Sequence, residues 1–286
     1  MKKLFSLLIT FLLVSLLFYF IPLGELLSSL KEIKPTNFFV GFVFYTLSQF
    51  TRSLKWSLLL NIPLRISFFL NSANLFWNNI LPARSGELSW FYYTKKLGVE
   101  LKFSVWSFLV GRIYDLLGLI SSVIFVFIYV KFGVYPTLAY LLLLFFIFYI
   151  IPLCIRFIPD KVRLKGFLLK EFRPTLSLKL FVLSLLSFFL KALATYSVVM
   201  NLWSFGFSIY TLGFLGGELS SVLPVHGFMG YGSYEFAFGI PMKLYGIEIK
   251  EALKVGFIAH NFLLISSSFW GVLSIFYLQV FSRKAP

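Results

Sequence analysis

The residues able to do chemistry stand in two short stretches. The first is Asn78-Asn79-Ile80-Leu81-Pro82-Ala83-Arg84-Ser85-Gly86-Glu87. The second is Ser220-Ser221-Val222-Leu223-Pro224-Val225-His226-Gly227-Phe228-Met229-Gly230-Tyr231-Gly232-Ser233-Tyr234-Glu235. Each runs from small polar residues through Leu-Pro and glycine to a glutamate, inside a strongly apolar chain. Proline lacks a backbone donor and glycine weakens a helix. Pro82 and Gly86, then Pro224, Gly227, Gly230 and Gly232, are therefore expected to break two helical hairpins. Irregular backbone at membrane depth survives only where protein or a wet cavity covers it.

The ionisable residues near these breaks each need a reason, since a charge at a membrane-helix centre costs at least about 2.5–3.5 kcal/mol on insertion scales. Arg84 carries a planar fork suited to phosphate oxygens; a pair with Glu87, three residues on, is the structural alternative. Glu87 and Glu235 hold corresponding places after the two breaks. Both suit a cationic headgroup or a coupling proton, or else cap a helix or pair with an arginine. Arg112 and Asp115 share one helix face and are expected to pair with each other; the alternative is that they contact substrate, with Arg112 receiving a lipid phosphate together with Arg52 and Arg84. Lys191, alone in mid-span, must face the interior or a wet cavity, with Glu218 or Glu235 as its partner. His226 is either a proton switch near neutral pH or a hydrogen-bonded turn histidine. Arg52 and Lys55, beside Trp56, read as interfacial anchors or as contacts to a lipid phosphate. Asn79 joins these as a candidate substrate contact, while Asn78, Asn79 and Asn261 are expected to satisfy broken backbone.

The elements that must position these residues follow from composition. The chain of 286 residues is 59% hydrophobic, 21% aromatic and 13% charged, with mean hydropathy +0.89. A soluble domain is nearer 45–50% apolar and about 25% charged. The sequence is that of an all-α integral membrane protein with no room for an added soluble domain. The net charge of +15 does not point to nucleic acid, because the basic residues lie in loops between apolar spans. Cys154 is single, and the two histidines are too far apart for a metal motif. No cofactor and no metal are expected.

Hydropathy places a retained first span at about Leu4–Leu23, a linker from Glu25 to Thr36, and further spans at about Asn37–Leu60, Phe103–Val130, Pro136–Ile155, Ser177–Trp203 and Val255–Phe281. Pro136 is read as the start of its span, and 246–254 as a short loop. The broken hairpins lie at Ile66–Trp90 and Phe207–Tyr245. This makes about six transmembrane helices and two re-entrant hairpins in a single membrane domain, 1–286. Its parts are a first span and linker (1–36), a first repeat (37–135), a connecting span with a basic loop (136–176) and a second repeat (177–286). Dense cationic loops fall on one side if both termini are cytoplasmic, which suggests a multi-pass protein of the cell membrane. Each half reads span, broken hairpin, span. The halves then have inverted topology, and paired Gly/Pro-interrupted segments point to a transporter site at their interface.

At Arg52, Lys55-Trp56, Asn79-x-Leu81-Pro82-Ala83-Arg84-x-Gly86-Glu87 and Arg112-x-x-Asp115 the sequence resembles the lysylphosphatidylglycerol synthase transmembrane-domain family. Leu223-Pro224-x-x-Gly227-x-x-Gly230-x-Gly232-x-x-Glu235 resembles that family's second signature. The resemblance covers nearly the whole chain and implies a flippase-like protein acting on membrane lipids. The aminoacyl-transferase domain of the fused relatives is absent, so lipid synthesis is not implied. Trp90 stands where many members have arginine, and Gly111 where many have glutamate. If these positions contact a headgroup, substrate choice differs here. The expected function is non-enzymatic translocation of a phosphate-headgroup lipid: a phospholipid, an aminoacyl-phospholipid or a polyprenyl phosphate. An intramembrane lipid-phosphate enzyme and an ion-coupled carrier of a small solute are the alternatives. The sequence leaves the oligomeric state open.

Overall fold

The computed structural model describes residues 15–157, 173–222 and 228–281, and these are helical almost throughout. Residues 15–20 form the described part of α1. Then come α2 (Leu23–Lys31), α3 (Pro35–Leu60), α4 (Leu64–Ile80), a 3-10 turn Pro82–Glu87, α5 (Leu88–Lys96), α6 (Leu101–Phe132) and α7 (Val134–Arg156). After these follow α8 (Pro174–Val199), α9 (Phe207–Val222), a 3-10 turn Phe228–Gly230, α10 (Ser233–Lys243) and α11 (Ile249–Phe281). Among the described residues, α6, α8 and α11 are long and apolar enough to cross a bilayer. The first fourteen residues, the basic loop 158–172, the segment 223–227 and the last five residues lie outside the description. With them lie Pro224, His226 and Gly227.

Helix faces are polarised for lipid. Phe39, Val43, Leu47 and Phe50 on α3 are exposed, as are Ile265, Phe269, Val272 and Phe276 on α11. Spacings of three and four keep such residues on one stripe. A soluble protein does not expose apolar stripes of this length. The buried side is unusually polar: Ser48, Ser53, Ser67, Asn71, Asn74, Ser184, Ser187 and Ser267 are all buried. Small polar residues let membrane helices approach closely and bond across their contact. The α3–α8 contact works this way. A Cβ on Gly41 would stand 2.7 Å from the Ala194 carbonyl oxygen, and Ser48 Oγ donates to the Ser187 carbonyl at 2.9 Å.

The lengths run in parallel. α3 and α8 have 26 residues each, and both open on a proline, where a missing N–H costs no hydrogen bond. α4 and α9 have 17 and 16 residues, α5 and α10 have 9 and 11, and α6 and α11 have 32 and 33. Contacts cross between the sets: α3 packs on α8, α4 on α11, and α9 on α6.

Three boundaries differ from the sequence expectation. The linker Glu25–Thr36 contains helix α2, whose Leu26 is fully buried against Leu253 of α11. Pro136 does not start its helix but sits in the first turn of α7, where it breaks no internal bond. Most of the expected loop 246–254 is the first turns of α11, which begin at Ile249.

Candidate functional site

A cavity of about 480 Å³ lies among α3, α4, α6, α8, α9 and α11, beside both helix breaks. Its volume suits a headgroup-sized ligand. Six of the candidate substrate contacts line it: Arg52, Asn79, Glu87, Arg112, Asp115 and Lys191. They come from elements up to 139 positions apart, so only the fold assembles them.

The first break forms where α4 ends at Ile80. Leu81 is extended, and Pro82 opens the 3-10 turn at its first position. Gly86 then runs directly against the backbone of Trp77 and Asn78, with no space for a Cβ. Its carbonyl accepts from Asn74 Nδ2 at 3.3 Å. The break is thus satisfied by Asn74, not by the residues expected. Asn78 Nδ2 donates to Asn74 Oδ1 at 3.2 Å, and Asn79 Nδ2 reaches across to Ser267 Oγ of α11 at 2.7 Å. Asn261 Nδ2 bonds its own helix at the Phe257 carbonyl. The backbone of Arg84 lies in the turn; its side chain is outside the description.

At the second break Met229, Gly230 and Gly232 have positive φ (54°, 85° and 79°). Met229 is the costly one, since a side chain disfavours that conformation. Glu235, fully buried, accepts from the Gly232 N–H at 2.6 Å and so reaches back to the residue that caps α10. Its other oxygen lies 2.7 Å from His260 Nδ1. His260 lines the cavity, stacks on Tyr234 at 4.5 Å and leans on Tyr231 at 5.1 Å.

Arg112 and Asp115 do not form the expected pair within α6. Asp115 takes Arg52 (3.0 Å) and Lys55 from α3, and Arg112 takes Glu87 at 3.1 Å. Neighbouring helices offer these acids and bases better-aimed partners than one turn of the same helix. Lys55 is no interfacial anchor: its side chain is 0% exposed, and Nζ also reaches Ser184 Oγ at 3.2 Å. It braces α3 against α6 and α8 from behind the cavity wall. Lys191 meets Glu218 through both carboxylate oxygens at 2.8 Å, the first of its two expected partners.

His260 was not singled out from the sequence, where it sits in an unbroken apolar run. Its signal is positional. Arg112 is eleven residues beyond Leu101, the start of α6, and His260 is eleven beyond Ile249, the start of α11. Arg52 and Lys191 are likewise each seventeen beyond the prolines that open α3 and α8. Among the described residues, no group of three His, Cys, Asp or Glu could hold a metal ion.

The family described as lysylphosphatidylglycerol synthase TM region matches residues 3–271. The chain belongs to this family. Membership gives it a function concerned with membrane lipid. No curated protein matches the chain. Neither of its two departures from the family pattern lines the cavity. Trp90 is buried 4.4 Å from Trp56, and the ring of Trp56 fills the space that a side chain at Gly111 would take. The two departures therefore meet at one residue: a large ring at 90 and no side chain at 111 make a single packing unit around Trp56. The family-pattern substrate change expected at these positions has no support in their placement.

Proposed function

We propose that this family member moves a phosphate-headgroup lipid between leaflets, with the headgroup in the cavity and the tails left in lipid. The observation that carries the reading is Arg52. It lines the cavity, spends one terminal nitrogen on Asp115, and its buried Nε–H has no acceptor among the described residues. A guanidinium has five donors in a rigid fork, and a phosphate oxygen satisfies those that remain. Arg112 and Lys191 complete a ring of three cations on three helices.

The parallel lengths of α3–α6 and α8–α11 support two inverted halves, with α4–α5 and α9–α10 as re-entrant hairpins that meet near the midplane. In that frame the chain has about six spans and cytoplasmic termini, and the site opens in turn to each face. Asn79–Ser267 is the contact in which the first break touches the other half. The reading needs no covalent step. Ser85 is exposed, and His260, which lines the cavity, is held by Glu235.

The test is reconstitution of purified protein with labelled phosphatidylglycerol, its aminoacylated form and a polyprenyl phosphate, following both leaflet accessibility and released phosphate. Leaflet exchange of one class without phosphate release supports translocation. Phosphate release without exchange gives the site to an enzyme, and exchange of none removes the reading.

A further inference from the structure

The cavity and its backing hold four cations and four carboxylates among the described side chains. Arg52 and Lys55 share Asp115, Arg112 holds Glu87, Lys191 holds Glu218, and Glu235 has only His260. A proton on His260 adds one positive charge to this set, and that charge favours an anionic headgroup in the cavity. Resting on the translocation reading, we propose that His260 with Glu235 is a proton-binding site whose occupancy couples to an anionic headgroup in the cavity, so that lipid and proton travel together.

The geometry gives each nitrogen a separate task. Nδ1 points at a carboxylate that has no exposure to solvent. A buried carboxylate without a partner is costly, and the contact with Nδ1 supplies one. The far edge of the ring faces Gly230 at the second break, where a Cβ would stand 3.1 Å from both Cε1 and Nε2. A side chain there would press on that edge of the ring. His260 itself lines the cavity, which is the route the proposal gives the proton.

The surrounding groups leave this role to the imidazole. Tyr231 donates to Asn261 Oδ1 at 2.8 Å, and Tyr234 stacks on the ring, with a buried hydroxyl that has no partner. Across the cavity, Glu218 and Glu87 are each held by a cation at 2.8 and 3.1 Å, as Asp115 is by Arg52 and Lys55. The remaining ion pair described on α11, Lys250 with Glu25, is exposed in the first turn of that helix. Imidazole is the side chain whose charge changes near neutral pH. Glu235 also holds the Gly232 N–H, so the charge of the pair acts on the turn that starts α10. Linkage makes the effect reciprocal: a bound anion favours the proton, and the proton favours the anion.

Two arms test this. In the first, protein free of a histidine tag and carrying His226→Gln, so that His260 is the sole imidazole, is titrated by NMR in nanodiscs. The His260 signal should move with pH between about pH 5 and pH 8.5 and lose its charged-state plateau in Glu235→Gln. A signal that is flat over this range overturns the proton site whatever the lipids do. In the second arm, proteoliposomes carry a pH gradient, an internal pH dye and whichever of the three labelled lipids moves. Acid on the loading side should speed movement about fivefold or more and carry protons inward. His260→Gln should still move lipid but ignore the gradient, and Lys250→Gln should behave as wild type. Lipid movement indifferent to the gradient, with no proton flux, overturns coupling and leaves translocation standing. If no lipid of any class moves in folded protein, coupling falls together with the translocation reading, and the first arm alone decides whether the proton site exists.

Discussion

Arg112 on α6 and His260 on α11 stand at the same step of their helices, and each holds the glutamate that follows a helix break. The distances are 3.1 Å to Glu87 and 2.7 Å to Glu235. One glutamate is held by a guanidinium and the other by an imidazole, so the two breaks are built alike with different partners; under the proton-coupling proposal only the second responds to pH.

Asp115 is the residue on which the α3–α6 contact depends. Asp115→Asn leaves Lys55, which has no exposed side-chain surface, without its carboxylate. Removing one partner of a buried pair costs about 3–5 kcal/mol. Unfolding in detergent should show a loss of that size, and adding Lys55→Met should recover most of it. A single variant as stable as wild type would mean that Lys55 finds water or another acceptor.

Lys191 and Glu218 separate structure from function. Both are largely buried and meet in two hydrogen bonds. Either single change to alanine should cost a few kcal/mol by stranding the partner. The exchange Lys191→Glu with Glu218→Lys should restore stability to within about 1 kcal/mol of wild type, since the pair is re-formed. Lipid movement should not return, because the cation has left its place in the ring. Recovery of both would make the pair structural alone.

Gly86 tests the first break. Its position against the backbone of Trp77 and Asn78 admits no side chain, and backbone cannot rotate aside as a side-chain tip can. Gly86→Ala should cost about 1–3 kcal/mol by overpacking and shift the turn that carries Glu87. Thermal unfolding and lipid movement should both fall.

Gly111 and Trp56 form a couple. Gly111→Ala drives a Cβ into the six-membered part of the Trp56 indole, at a cost of about 1–3 kcal/mol. Trp56→Phe in the same chain removes the atoms that clash. A double-mutant cycle should give a favourable coupling of about 0.5–3 kcal/mol. Additive losses would show that the ring moves away without help.

The sequence was most legible where composition and breakers decide. The three membrane-length helices, the break at Pro82–Glu87 and six of the candidate substrate contacts in the cavity follow from residue type, because a charge or a proline in lipid has few explanations. Gly230 and Gly232 were legible as breaks for the same reason: both have positive φ. Partner choice was not legible. Arg112 and Asp115 share a helix face, yet the energy of each depends on Arg52, Lys55 and Glu87, which arrive from other segments. The linker at 25–36 balances its charges and gave no sign that Leu26 would be buried. His260 was hidden because a lone histidine in an apolar run looks like any core residue. Its meaning appears only beside Glu235, 25 positions away, and beside Arg112 at the matching step of α6.

The measurement to make first is leaflet exchange in proteoliposomes for the three lipid classes, with Arg52→Gln, Arg112→Gln and Lys250→Gln side by side. The account predicts exchange of at least one phosphate-headgroup lipid. It predicts a loss of about tenfold or more in each arginine variant, since a charge-assisted contact is worth about 1.5–3 kcal/mol. Lys250→Gln should be unaffected. Exchange that persists at the wild-type rate in both arginine variants, or is absent for every lipid in folded protein, would contradict it.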